Sequence, residues 1–261
     1  MNEDRRPRQA SSSPQATAGV SDIARTGLTA IVGVTATAIA GIAIMTIAAL
    51  RPTAPIIDRI LRVWARTILS VAGVRVDVHG AHKLEPGRAY VIISNHRSVF
   101  DLVCPYVALP APIRFLAKRE LLSIPLFGSI LRSLRTIQVD RSSADHASIN
   151  TESGNLLRAG YSLVVFAEGT RVKSTDTKPF KKGGFVIAQQ NNVPILPITM
   201  IGTSDIVQPH GRIVHRANVT VVIGDPIPAA SLMTRDLGDL VSYTERIVRD
   251  NELATDLEDL R

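Results

Sequence analysis

The chain has one cysteine, Cys104, so it forms no internal disulfide, and this fits a reducing compartment. Aromatic residues make up only 4% of the 261 positions, and no basic stripe interleaved with aromatics occurs. Nucleic acid is therefore an unsuitable partner despite the net charge of +7. No G-x-S-x-G segment is present, which argues against a serine acyl-enzyme of the hydrolase kind. His79 and His82 stand without acidic neighbours, and His210 and His215 lie in a polar loop and a strand, so no metal site is expected. Cys104 falls in an apolar run, where a buried structural thiol is the simpler reading than a nucleophile.

Charge is also missing locally. Between Arg25 and Arg51 there is no charged residue, and Gly27 to Leu50 is an uninterrupted apolar run rich in Ala, Gly and Thr. As a helix these 24 residues would reach ~36 Å, enough for a ~30 Å hydrocarbon layer. The run exceeds the ~7–15 residues of a signal-peptide core, so a retained membrane helix or re-entrant anchor is expected. Gly33, Thr37 and Gly41 would let a second helix approach closely. Residues 1–24 read as a disordered basic arm, residues 25–73 as the membrane anchor with a basic amphipathic helix, and residues 74–261 as the catalytic domain.

In that second helix Ile57, Ile60, Leu61, Trp64 and Ile68 recur at helical spacing, with Arg59, Arg62 and Arg66 on another side. Two readings stay open: a helix at the membrane–water boundary, or a surface helix packed on the domain. Residues 51–75 carry five Arg against one Asp beside the apolar run, which favours anionic membrane lipids as the partner. Arginines flank both ends of the run, so they do not fix its orientation.

From about residue 74 strands and helices alternate. The strands are expected at Arg75–His79, Ala89–Ser94, Ile113–Ala117, Thr136–Val139, Ser162–Ala167, Ile195–Met200 and Asn218–Ile223. Helices are expected near 99–109, 119–134, 144–159, 181–191 and 231–253. This predicts an α/β fold with a mixed, mostly parallel sheet flanked by helices, preceded by the N-terminal membrane-anchoring segment. The last stretch is acidic, with Asp236, Asp239, Glu245, Asp250 and Glu252 among its carboxylates, and reads as a solvated face.

The chemistry concentrates at strand ends. Asn95-His96-Arg97-Ser98-Val99-Phe100-Asp101 follows the apolar run Tyr90–Ser94. His96 with a carboxylate five positions on fits a base and the group that orients it. Ser98 and Asp101 equally fit a helix capping box, and capping could itself bring Asp101 back towards His96. A second cluster, Glu168-Gly169-Thr170-Arg171, ends the strand Leu163–Val165. Gly169 permits close backbone approach, Thr170 offers a hydroxyl, and Arg171 a planar fork for phosphate oxygens. Glu168 would accept a hydrogen bond from a hydroxyl or hold Arg171. Further cations follow other strands at Lys118-Arg119 and Arg141, and Pro179–Gly184 places two lysines and two glycines at a helix start, a natural anion site.

The order NHRSVFD, KRELLSIPLFGSIL…TIQVDR, FAEGTR…PFKKG and VPILPI resembles the four blocks of the lysophospholipid acyltransferase family. That family includes 1-acyl-sn-glycerol-3-phosphate acyltransferases. The blocks span about residues 94–199, and the flanking pattern extends the likeness to roughly 75–228. The resemblance implies that His96 is the general base and that Asp101 orients it. It places Asn95 and nearby backbone amides as oxyanion donors. Glu168, Gly169, Thr170 and Arg171 would hold a glycerol-phosphate acceptor, with Arg141 and Lys118 as added phosphate partners. It further implies direct acyl transfer from acyl-CoA or acyl carrier protein to a lysophospholipid, giving phosphatidic acid, without cofactor or metal, at the cytoplasmic face of the cell membrane. Ala167, Arg135 and Gln138 depart from the family's usual Pro, Gly and aromatic. The last two leave open another lysolipid acceptor, a lyso-aminolipid or glycolipid; a non-catalytic lipid-binding protein is the remaining rival.

Overall fold

The computed structural model describes residues 19–139, 146–173, 176–208 and 211–254. Two helices open the chain, α1 (Val20–Leu50) and α2 (Pro55–Ala72). They are followed by β1 (Val74–His79), β2 (Val91–Ser94), α3 (Cys104–Ala108), β3 (Ile113–Lys118), α4 (Phe127–Ser133), β4 (Ile137–Val139) and α5 (His146–Arg158). Then come β5 (Ser162–Phe166), α6 (Gly183–Asn191), β6 (Ile195–Ile201), α7 (Thr203–Ile206), β7 (Ala217–Ile223), α8 (Ala229–Leu232) and α9 (Leu237–Leu253).

All seven expected strands form, within a residue or two of the expected limits, in one sheet ordered β1-β7-β6-β2-β5-β3-β4. Every pairing is parallel except β6 with β7. The central strands are almost wholly buried and mostly apolar because both faces are covered, with Ser94 and Thr199 the polar exceptions in β2 and β6. Alternate residues serve opposite faces. Ile92 belongs to the core cluster that holds Leu69 of α2 and Cys104 of α3, whereas Val91 and Ile93 belong to the one that holds Leu157 of α5, Phe185 of α6 and Val248 of α9. Three expected helices are interrupted; the one near 231–253 is split into α8 and α9. A 3-10 turn (Val99–Leu102) precedes α3, and another (Arg119–Ser123) precedes α4, each break lying close to a proline, Pro105 and Pro125.

The N-terminal boundary differs from expectation: helix begins at Val20, not after residue 24. The first turn is anchored. Asp22 pairs with Arg25 at 2.6 Å and with His215 at 3.3 Å, and the Thr26 hydroxyl accepts the Val214 N–H at 2.9 Å. Residues 1–18 lie outside the described residues. At 31 residues α1 reaches ~46 Å and is long and apolar enough to cross a membrane, with Ile31, Val34, Ile39 and Ile42 exposed.

The close helix approach expected at the small residues occurs inside the chain. A Cβ on Gly41 would lie 2.2 Å from Ile130 Cδ1 of α4, and Thr37 accepts the Trp64 indole N–H at 3.0 Å. Of the two readings of α2, packing on the domain is the one observed. Ile57, Leu61, Ala65, Ile68, Leu69 and Ala72 are buried, and Trp64 stands edge-on against Tyr106 rather than facing outward. Arg59 and Arg66 remain exposed.

Candidate active site

β2 and β5 pair in parallel with Ser94 opposite Phe166, and the Ala167 N–H donates to the Ser94 carbonyl at 3.1 Å. Asn95–His96 and Ala167–Glu168 therefore leave the sheet side by side. The His96 ring stacks on Phe166, with centroids 4.1 Å apart and planes 12° from parallel. Its Nδ1 lies 2.7 Å from Asp101 Oδ2. Asp101 is fully buried, and the same oxygen accepts the Arg97 N–H at 2.6 Å and the Ser98 N–H at 2.8 Å. The capping interaction and the dyad are thus one device: the carboxylate that starts the 3-10 turn also holds the imidazole. With Asp101 ionised, the proton sits on Nδ1 and leaves Nε2 as the acceptor.

Two of the expected site residues do something else. Asn95 is fully buried; its amide donates to the Met200 carbonyl and to Glu252, and its carbonyl accepts the Met200 N–H at 2.9 Å. These bonds clip the loop to β6, so the side chain is not an oxyanion donor. The backbone amides of His96, Arg97 and Ser98 are likewise engaged, by Glu168 and Asp101. Glu168 is a structural hub rather than an acceptor ligand. Its fully buried carboxylate takes the His96 N–H at 2.8 Å, Arg97 Nη1 at 2.7 Å and Arg249 Nη1 at 2.9 Å. A carboxylate surrounded by these donors has no reason to face a phosphate.

His96 opens onto a cleft of about 1740 Å³. Lys118, Gly169, Thr170, Arg171, Lys181 and Lys182 line it, and the lysines and glycines of Pro179–Gly184 join the same wall. Gly169 has φ +71°, and a Cβ there would lie 2.9 Å from Lys181 Nζ, so only glycine lets the lysine cross the turn. An apolar wall of the cleft is formed by Gly41, Ile44, Leu61, Trp64, Tyr106 and Ile130. Arg135 and Gln138 do not line it: Gln138 is exposed on β4, and Arg135 adopts φ +55°, a conformation suited to the glycine that the family usually has there. Arg141 lies outside the described residues.

The acyltransferase family model matches residues 75–201, which include the histidine loop, the Glu168–Arg171 turn and β6. Human 1-acyl-sn-glycerol-3-phosphate acyltransferase alpha is 34% identical over 203 residues, covering 76% of this chain and 71% of the relative. The 1-acyl-sn-glycerol-3-phosphate acyltransferase of Saccharomyces cerevisiae is 32% identical over 187 residues, covering 70% and 60%. The chain belongs to the 1-acyl-sn-glycerol-3-phosphate acyltransferase family. The fold agrees with a solved structure: the crystal structure of the 1-acyl-sn-glycerophosphate acyltransferase from Thermotoga maritima superposes with a TM-score of 0.76 at 22% identity, covering 89% of this chain and 95% of that one.

Within this acyltransferase, Cys104 is buried beneath the histidine loop. Burial, reinforced by the Asp101 charge, pushes its thiol well above the usual range. Among the described residues no group of three or more His, Cys, Asp or Glu is arranged to hold a metal. Sequence reading missed the partners supplied by α9. Glu245 and Glu252 are not a solvated face: the Glu252 side chain is 16% exposed and meets Arg97 and Arg249 at 2.8–2.9 Å, while Glu245 accepts the Phe180 N–H at 3.2 Å. A signal was present in the spacing. Leu240, Thr244 and Val248 form the buried stripe of α9, and Glu252 is the next position in that series of fours.

Proposed function

We propose that this chain transfers a fatty acyl group from a thioester donor, acyl-CoA or acyl carrier protein, to 1-acyl-sn-glycerol 3-phosphate, giving phosphatidic acid. The observation that carries the reading is a single cleft holding a His96–Asp101 pair, a cationic wall and an apolar wall. Arg171, Lys118 and Lys181 suit the acceptor phosphate, with Arg171 able to take two oxygens at once. Gly41, Ile44, Leu61 and Ile130 suit an acyl chain.

In this reaction Nε2 of His96 takes the proton from the acceptor hydroxyl as the oxygen attacks the thioester carbonyl. Asp101 stabilises the imidazolium that forms. Collapse of the tetrahedral intermediate breaks the carbon–sulfur bond, and His96 returns its proton to the leaving thiolate. The products are the new ester and a free thiol, with no covalent enzyme intermediate, cofactor or metal required. Membrane lipid is the natural surroundings of the acceptor and product, and α1 suits attachment there. Because acyl-CoA and acyl carrier protein are water-borne, the cleft would face the cytoplasm at the cell membrane.

The purified chain, supplied with acyl-CoA and lysophosphatidate, is expected to release one thiol per phosphatidate formed, the product identified by mass. Thiol release only with a different lysolipid would replace the acceptor; no release with any would remove the reading. The departures that favoured another acceptor, Arg135 and Gln138, lie off the cleft, which supports lysophosphatidate as the acceptor.

A further inference from the structure

Glu252, near the C-terminal end of α9, lies 155–157 residues beyond the catalytic loop, yet it holds the side chains on both sides of His96. Its Oε1 accepts Asn95 Nδ2 at 2.6 Å and Arg97 Nε at 2.8 Å. Its Oε2 accepts Arg97 Nη2 at 2.9 Å and Arg249 Nη1 at 2.9 Å. Glu252 makes a bidentate pair with Arg97, whose third nitrogen goes to Glu168. Two cations, Arg97 and Arg249, meet three carboxylates, Glu168, Glu252 and, 3.5 Å from Arg249, Glu245, so the Arg97 charge is compensated although the residue is only 5% exposed.

We infer that Glu252 is a positioning residue for acyl transfer, fixing the loop that aims His96 without itself touching substrate. The inference rests on the acyl-transfer reading above. Glu252 makes no contact with the imidazole. It immobilises Arg97, and the Arg97 backbone N–H is one of the donors that fix Asp101 Oδ2 against His96 Nδ1. Releasing the Arg97 side chain loosens that N–H, and with it the carboxylate that orients the base. A buried ion cluster is a poor source of net stability, because well-packed apolar residues of similar size commonly do as well or better. What such a cluster supplies is angular definition: four donors converge on two oxygens, and only one loop geometry satisfies all of them. Arg249 extends the clamp. Burial disfavours its cation, but the hydrogen bonds and charges of Glu252 and Glu168 outweigh this and raise its pKa, and its Nη2 ties the end of α9 to the Lys178 carbonyl.

The carboxylate is required as such. An amide at the same place would turn one oxygen into an N–H group facing two donors. Glu252→Gln is therefore expected to leave the chain folded, lower kcat at least tenfold, and leave KM for acyl-CoA and lysophosphatidate within about twofold. Val248→Ala serves as the comparison. It removes buried apolar contact from the same helix, and is expected to lower the melting temperature while keeping kcat within about twofold of wild type. Glu252→Asp keeps the charge but withdraws it by one methylene; a smaller loss in kcat, again without change in KM, is expected, and it stands in if the glutamine variant fails to fold.

The full-length proteins are compared by thiol release. Wild-type kcat in folded Glu252→Gln or Glu252→Asp would overturn the inference, as would a rise in KM with kcat retained. An equal loss of kcat in Val248→Ala would overturn it too, since docking of α9 would then suffice as the cause. Absence of wild-type turnover on lysophosphatidate would instead remove the functional reading on which the inference stands.

Discussion

Asp101 reaches back five residues to place its Oδ2 2.7 Å from His96 Nδ1. On a continuous helix residues five apart point ~140° away from each other. The break at Ser98, extended at φ −144° and ψ 165°, makes the contact possible. Asp101→Asn tests what the charge adds. The other carboxylate oxygen, Oδ1, is buried without a hydrogen-bond partner among the described residues, so an asparagine can place its NH₂ there, exchanging one unpartnered atom for another. The variant is expected to stay folded and to lose about 10²–10⁴ in kcat, the range for impaired proton transfer, with KM nearly unchanged. Steady-state kinetics beside a melting curve check this.

Arg171 lies exposed on the cationic wall of the cleft. Hydrogen bonds to charged groups contribute ~1.5–3 kcal/mol, so Arg171→Ala is expected to raise KM for lysophosphatidate about tenfold to a hundredfold. The KM for acyl-CoA should move far less. An unchanged acceptor KM would assign the phosphate to other cations.

Gly41 and Ile130 make a joint between α1 and α4, where even a methyl group would meet Ile130 at 2.2 Å. Gly41→Val is expected to destabilise the chain by about 1–3 kcal/mol through overpacking. Because both residues line the apolar part of the cleft, it is also expected to shift preference towards shorter acyl donors. A melting curve and an acyl-CoA length series read the two effects separately.

The fold was largely legible because the central strands are continuous apolar runs ended by functional loops. Leu163–Val165 and Tyr90–Ser94 have no helical periodicity to confuse them. The His96–Asp101 pair was legible because both members lie in one loop. Asn95 and Glu168 were misplaced for the opposite reason: their partners, Met200, Arg249 and Glu252, are far along the chain, and a polar residue at a strand end looks the same whether it faces solvent or a distant helix. Trp64 shows the same limit. Its amphipathic setting suited a membrane boundary, but its partners are Thr37 and Tyr106 within the fold.

Cys104 is buried, and burial beside the Asp101 charge raises its thiol pKa, which favours the protonated, unreactive form. Cys104→Ala is expected to keep kcat within about threefold of wild type, the loss reflecting packing alone. Iodoacetamide should leave the native enzyme active, because the thiolate is the reactive form. Inactivation by alkylation at this one thiol would argue for a covalent route.

In the proposed reaction His96 takes the acceptor proton. The direct measurement is thiol release by His96→Ala, with acyl-CoA and lysophosphatidate saturating and the fold verified by its melting curve. A fall of ~10²–10⁴ in kcat in a folded protein is expected if His96 is the base. Turnover near that of wild type would contradict it.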